Sequence, residues 1–355
     1  MATTSTKKKQ MPRKRAVARR PAKTAPWHLR RAGDLRILRA SRLAALDWLV
    51  HGFSTRAGGS SMLNPGGAER KTGEKVLNLG FTDWDTRGAV EANRKMFFES
   101  VGVGKMRFAG LRQIHSDIVH RVGRTEDSQP ESAPEIPLQG DALISREPGV
   151  LLAVQTADCV PILLADPRRR AIAAVHAGWR GTLSRIAEKT LGRMAMEFGT
   201  RPQDVIAALG PGIGQCCYEV GGDVAKEFQA QFPSARDWFE GPFDALASGE
   251  NDPNWLPWLT MRPPGHAPPA PRVRLDLIAA NRAILSAAGV PAENIASSGY
   301  CTSCHTDLFF SYRRERTSGR MMAVIGIRGD RFAASPAARK SETHPSNNSC
   351  RRDLQ

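Results

Sequence analysis

The segment "DALISREPGVLLAVQTADCVPILLADPRRRAIAAVHAGWRGT" (residues 141–182) decides the fold. Its short apolar runs, each bounded by Gly, Pro, Asp or Arg turn residues, read as successive buried strands: two or three across 141–167 and one more over "AIAAV". The chain then leaves the last strand through the glycine loop "HAGWRG". Beyond it, "TLSRIAEKTLGRMAMEFG" (182–199) carries Leu183, Ile186, Leu191, Met194 and Phe198 at helical spacing, with Thr182 as candidate N-cap and Gly199 as stop.

Outward from this segment the pattern repeats. "AVEANRKMFFESVG" (89–102) and "LDLIAANRAILSAAG" (275–289) have helical periodicity, while "MRFAGLRQIHSDIVHRV" (106–122), "VIAALG" (205–210) and "RMMAVIGIR" (320–328) read as extended chain. Between them lie a Gly-rich loop from Arg56 to Ser61, polar loops at 64–75 and 126–137, and an irregular Pro- and Trp-rich region from 233 to 272. Strands and helices alternate without a long linker. This predicts a single α/β domain, residues 34–329, with a mixed β-sheet flanked by helices.

At 355 residues, 41% hydrophobic and 24% charged, the chain has the composition of an ordinary globular protein. No run approaches the ~18 to 20 apolar residues of a membrane span. Without a secretory pattern at the N-terminus, the expected location is the cytoplasm and no membrane partner is expected. The net charge of +16 is concentrated: residues 1–33 hold eleven Lys or Arg and no acid, which leaves an excess of five for everything after. That segment and residues 330–355 read as disordered tails flanking the domain. The body lacks the aromatic and basic interleaving of a nucleic-acid platform, so no specific nucleic acid is expected. Six cysteines in a chain of this length do not form a disulfide framework, and reduced thiols are expected.

Three extended apolar stretches each end on a metal-competent side chain: His115 in "QIHSD", Cys159 in "TADCVP" and His176 in "VHAGW". Two imidazoles and a thiolate form a known ligand set for catalytic zinc, leaving the fourth position open. Taken singly, each is as well read as a hydrogen-bonded histidine or a small buried hydrophobe. Arg56 in its glycine loop and Arg180 before a helix start could hold an anion, or the glycines could simply make turns and both arginines be solvated. "CTSCH" (301–305) matches a haem-attachment pattern, but covalent haem belongs to exported proteins. Of the adjacent Cys216 and Cys217, one is expected to pack in the core. Eight histidines without a single HxH pair fit a multicopper centre poorly.

In order, "HGFSTRAGG", "NLG", "QIHSD", "GDALI", "TADCVPILLAD", "VHAGWRGT", "GPGIGQCCYEVG", "LDLIAANRAIL" and "CTSCHTDLFFSYRRERTSGRMMAVIGI" resemble the YfiH-type family. That family is labelled polyphenol oxidase, laccase-domain protein or peptidoglycan editing factor, and also zinc-dependent purine nucleoside phosphorylase with adenosine deaminase activity. The resemblance implies a cysteine-hydrolase-toxin-like α/β fold and zinc on His115, Cys159 and His176. It further implies phosphate on Arg56, with Asn78 and Arg180 lining the same pocket, and Asp158 as an acid. The implied partners are purine nucleosides and phosphate, acted on by a monomer or weak homodimer. The alternatives are a Cys159/His176 hydrolase that edits peptidoglycan precursors, and a laccase-like polyphenol oxidase.

Overall fold

The computed structural model describes residues 26–63, 73–123, 138–241 and 272–329. Two six-stranded sheets form its centre. The first runs in the order β1 (Trp27–Ala32), β2 (Leu35–Ala40), β3 (Leu49–Ser54), β17 (Met321–Ile327), β9 (Val150–Thr156), β6 (Arg107–Ala109). The second runs β16 (Ile295–Ser297), β12 (Ile206–Leu209), β10 (Val160–Asp166), β11 (Ala171–Ala177), β8 (Ala142–Ser145), β7 (Val119–Arg121). Two smaller sheets join β13 (Glu219–Gly221), β15 (Arg272–Leu275) and β14 (Phe239–Glu240), and β4 (Ala57–Leu63) with β5 (Glu74–Val76).

Both large sheets are mixed. The pairs β6–β9, β7–β8 and β12–β16 are parallel and the other pairings antiparallel. The expected α/β fold with mixed β-sheet flanked by helices is present, its central strands divided between two sheets rather than one, and period-two alternation explains why. Along β10, Leu163 and Ala165 pack against the first sheet's Leu152, Phe53 and Ile325. Val160, Ile162 and Leu164 point the other way, into a core shared with α4 (Ile186–Phe198) and α6 (Leu277–Ala287). Strands buried on both faces read as unbroken apolar runs, which is how 160–166 and 171–177 look in the sequence. On its outer face the first sheet carries Ile37, Val50, Leu151 and Val324 against Phe97 and Val101 of α2 (Arg87–Val101).

The remaining α-helices among the described residues are α1 (Ser41–Ala44), α3 (Trp179–Leu183), α5 (Gly222–Gln231) and α7 (Tyr312–Glu315). No helix among the described residues is long and apolar enough to cross a membrane. The helix expected over 182–199 is two, broken at Arg185, which adopts φ +61°. Thr182 does not cap it: its hydroxyl accepts from Asn281 Nδ2 at 2.9 Å and ties α3 to α6. The first strand falls within the expected N-terminal tail. Trp27 and Leu29 alternate toward the inter-sheet core, with the Trp27 ring tilted against Phe53 at 5.2 Å, so Arg30 and Arg31 belong to the body. The rest of that tail, the loop at 126–137, most of 64–75 and of 233–272, and residues 330–355 lie outside the described residues.

The Gly-rich loop after Arg56 is strand β4, bulged between Ala57 and Ser61 against Val76. Gly59 sits there at φ +95°, where a Cβ would meet the Val76 carbonyl oxygen at 2.6 Å. Gly210, at the end of β12, has no room either: a Cβ would lie 2.4 Å from Phe53 and 2.9 Å from Pro161. Gly210→Ala is therefore expected to destabilise the fold by about 1–3 kcal/mol through overpacking. A thermal melt showing no loss of stability would contradict this packing.

Candidate metal centre and its cavity

The antiparallel register of β10 on β11 pairs Val160 with Ala177, which leaves Cys159 and Gly178 facing each other just past the pairing. His176 is the penultimate residue of β11, and its backbone N–H donates to the Asp141 carbonyl at 2.8 Å. Gly178 is required by this meeting: a Cβ would stand 3.0 Å from Cys159 Sγ and 2.9 Å from the His115 ring.

His115 reaches the same point from the loop between β6 and β7. The Asp141 carboxylate holds that loop by accepting from the backbone N–H groups of Ile114 (3.2 Å), His115 (3.1 Å) and Ser116 (2.6 Å), and from Ser116 Oγ (2.7 Å). A fifth donor, His176 Nδ1, lies 2.8 Å from Asp141 Oδ1. This contact fixes the imidazole so that Nε2 faces Cys159. His115 itself sits at φ +60° and Asp158 at φ +91°, left-handed conformations that non-glycine residues rarely adopt.

His115, Cys159 and His176 present their ligand atoms within 4.8 Å of one another, with Cys159 Sγ 3.7 Å from His115 Nε2. Around a tetrahedral ion with a metal–sulfur bond near 2.3 Å and a metal–nitrogen bond near 2.0–2.1 Å, such atoms stand about 3.6 Å apart. The donor set therefore fits a metal ion, and the Asp141–His176 contact is the outer hydrogen bond that metal-binding imidazoles commonly make. The charges are organised to match. Burial pushes the Cys159 thiol up, but the facing His176 charge and hydrogen bonds from both imidazoles bring it down to about 6. Burial likewise disfavours charge on His176, yet Cys159 and Asp141 raise it to about 9. The Asp141 carboxyl, although burial opposes its ionisation, is held well below the usual carboxylate range by His176 and Ser116.

The centre opens onto a cavity of about 500 Å³. Gln113, Gln155 and three arginine–aromatic pairs line it. Arg180 stacks on Trp179 (4.5 Å to the ring centroid), Arg313 on Tyr218 (5.1 Å) and Arg320 on Tyr312 (5.8 Å). Of the residues singled out in the sequence, the cavity brings together His115, Cys159, His176, Asp158 and Arg180. Arg56 and Asn78 lie outside its wall. Arg56 is buried in ion pairs with Glu315 (2.7 Å) and Glu74 (3.0 Å), and Asn78 donates to Thr82 and Asp85. Asp158 lines the cavity but accepts at both oxygens, from Thr302 Oγ1 (2.7 Å) and the Arg313 backbone N–H (2.6 Å). Through the second of these bonds it anchors the Arg313 backbone.

Sequence reasoning missed Asp141, Tyr218, Arg313 and Arg320, although all four lie in the stretches "GDALI", "CCYEVG" and "SYRRERTSGR" that carried the resemblance. Of the adjacent cysteines, Cys217 packs against the core, as expected, and Cys216 is exposed, but the two also share a cluster that the sequence did not show. The sulfurs of Cys216 and Cys217 both lie beside Cys304 Sγ, at 3.5 and 3.4 Å, and with Cys301 they form a second metal-competent group. The tight turn that bonds the N–H groups of Cys217 and Tyr218 to the Gly214 carbonyl sets the two neighbours side by side. Cys159, Cys216, Cys217 and Cys301 are thiols, as expected, whereas Cys304 is held in a disulfide. The Cys301 thiol is buried and bonded to Gly214, a setting unlike a haem attachment site.

Residues 50–328 match the family described as multi-copper polyphenol oxidoreductase laccase, and the chain belongs to that family, which includes YfiH and YlmD. A protein named purine nucleoside phosphorylase from Deinococcus radiodurans is 39% identical over 298 residues, covering 83% of this chain and 94% of its own length. A protein named adenosine deaminase RL5, from an unknown prokaryotic organism, is 37% identical over 204 residues, 57% of this chain and 68% of that protein. The crystal structure of YlmD from Geobacillus stearothermophilus shares the fold with a TM-score of 0.67 at 33% identity, covering 86% of this chain and all of that one.

Asp141 orients one ligand and the loop of another, so Asp141→Asn is expected to weaken metal affinity by about 10- to 100-fold. Competition with a chelator measures this directly; unchanged affinity would mean that the carboxylate does not orient the ligands.

Proposed function

We propose that the chain is a zinc-dependent, cytoplasmic purine nucleoside phosphorylase that converts inosine, adenosine, guanosine or methylthioadenosine, with phosphate, to free base and ribose 1-phosphate, and that it also deaminates adenosine. The observation that carries this reading is the opening of a His115–Cys159–His176 centre onto a cavity walled by arginine–aromatic pairs. Two imidazoles and one thiolate with an open fourth position are a donor set of catalytic zinc. Bound zinc supplies Lewis acidity and lowers the pKa of water, chemistry that serves both a phosphate-dependent and a hydrolytic displacement.

The residues of the chain do the rest. A purine is a flat π-system, and Trp179, Tyr218 and Tyr312 offer faces on which it can stack. The phosphate dianion needs planar, permanently charged donors, and Arg180, Arg313 and Arg320 supply them. Arg56 would reach phosphate only by giving up Glu315 or Glu74, whereas Arg313 and Arg320 donate to backbone carbonyls, of Glu219 and of Ser318 and Gly319, and keep further N–H groups for a ligand in the cavity that they line. Asp158 keeps Arg313 in place through its backbone N–H, and Gln113, which both donates to and accepts from the Gln155 backbone at 2.7 Å, holds the opposite wall. Phosphate held on the arginines can then approach C1′ of a nucleoside whose base is stacked on the aromatics.

A second reading has geometric support. Cys159, His176 and Asp141 stand in the order nucleophile, base and orienting acid, as a thiol hydrolase acting on peptidoglycan precursors would need. A laccase-like oxidase fits less well, because among the described residues the second metal-competent group holds no imidazole.

Metal analysis paired with phosphate-dependent turnover of inosine and adenosine tests the proposal. Cys159→Ser is expected to remove zinc from this centre and to lower both activities by more than about 100-fold, beyond the cost of losing an outer hydrogen-bond partner. Phosphorolysis that persists in metal-free protein would overturn it. Alkylation of Cys159 in zinc-replete protein, with an acyl-enzyme on a peptide substrate, would favour the hydrolase.

A further inference from the structure

Among the described residues, the four cysteines outside the cavity are the strongest unassigned chemistry in the fold. Their sulfurs all lie within 4.8 Å of one another, and Cys304 Sγ stands 3.4 Å from Cys217 and 3.5 Å from Cys216. A tetrahedral ion with four metal–sulfur bonds near 2.3 Å spaces its sulfurs about 3.8 Å apart. The ligands come from two loops, 210–218 and 299–305, that are far apart in the chain.

A second feature points to a ligand. The backbone N–H of Gly214 donates to Cys301 Sγ at 3.2 Å, and the Cys304 N–H faces the same sulfur. Peptide N–H groups aimed at a cysteine sulfur are the outer hydrogen bonds that stabilise metal thiolates. Gly214 leaves room for this: a Cβ would stand 3.1 Å from Cys301 Cβ and 3.3 Å from Cys216 Sγ.

We propose that Cys216, Cys217, Cys301 and Cys304 form a second metal site, a tetrathiolate for a zinc-class divalent ion that is filled when the Cys304 disulfide is reduced. A dithiol reductant supplies the two electrons and two protons that turn the disulfide into two thiols and is itself oxidised to a disulfide. Four thiols then bind one divalent ion and release four protons. Four thiolates leave no open position, so the site is structural rather than catalytic.

Its effect reaches the cavity through Asp158. The Ile213 N–H donates to the Asp158 carbonyl at 2.7 Å, Thr302 Oγ1 donates to its carboxylate, and the Thr302 N–H joins the two loops through Gly212 at 3.0 Å. An ion binding Cys216 and Cys217 from one loop and Cys301 and Cys304 from the other therefore braces the wall that carries Tyr218 and the residue beside Cys159.

Cobalt loading of full-length protein, reduced with a dithiol and desalted without air, tests this. Cys159→Ser protein, which lacks the cavity centre, is expected to bind one equivalent of Co(II) with tetrahedral thiolate charge-transfer absorption. Oxidised protein is expected to bind none, and adding Cys216→Ser and Cys304→Ser to bind none after reduction. Reduced Cys159→Ser protein that takes up no cobalt, or takes it up without sulfur charge transfer, would overturn the proposal. That titration decides the matter even if the multiple variant fails to fold, and it is read without any assay of nucleoside turnover.

Discussion

The pairing of β10 with β11 is the constraint on which the site depends. Seven consecutive antiparallel pairs, Val160↔Ala177 through Asp166↔Ala171, lock the two strands in one register. A slip of one residue would turn every side chain to the opposite face and move Val160, Ile162 and Leu164 out of the helix-facing core. That cost fixes the register, and the register fixes Cys159 opposite Gly178, with His176 two residues before that glycine. Two of the three metal ligands are thus set by hydrophobic burial well away from them.

The third ligand is set by a charge. His115 lies in a loop whose Ile114 and Ile118 are exposed, and at His115 itself the Asp141 carboxylate orders the chain by accepting from three successive backbone N–H groups. Hydrogen bonds to a charged group contribute about 1.5–3 kcal/mol each. Those on Asp141 offset the roughly 1–3 kcal/mol that a non-glycine residue such as His115 costs at φ +60°. Asp158, at φ +91°, has its own two hydrogen bonds and holds Arg313 through one of them. Both strained residues stand at the cavity, where a rigid backbone serves ligand placement better than a relaxed one.

The strands of the central segment were legible because burial on both faces writes itself as an unbroken apolar run. The division into two sheets was not: "VPILLAD" is equally apolar on either face and does not say which side meets helices and which meets another sheet. The metal ligands were legible as residue types at strand ends. Asp141 was not, because an aspartate before "ALIS" looks like a turn residue until the loop carrying His115 folds over it. Arg56 illustrates the reverse error. Its glycine-rich setting resembles an anion loop, but Glu74 and Glu315, 18 and 259 residues away, already neutralise it. Long-range charge pairing of this kind leaves no local pattern.

The competing readings of the centre differ in charge state more than in residues. Without a cation, a thiol brought down to about 6 beside an imidazole raised to about 9 makes a thiolate–imidazolium pair, the resting form of a nucleophilic cysteine. A metal ion bound by the same atoms takes the place of the His176 proton, because imidazole ligates only through a neutral nitrogen. Asp141 stabilises either arrangement, since its bond is to Nδ1 and the exchange occurs at Nε2. Proton and metal therefore compete for one position between Cys159, His115 and His176. The aromatic and cationic wall of the cavity, rather than the ligand set, is what separates a nucleoside site from a peptide site.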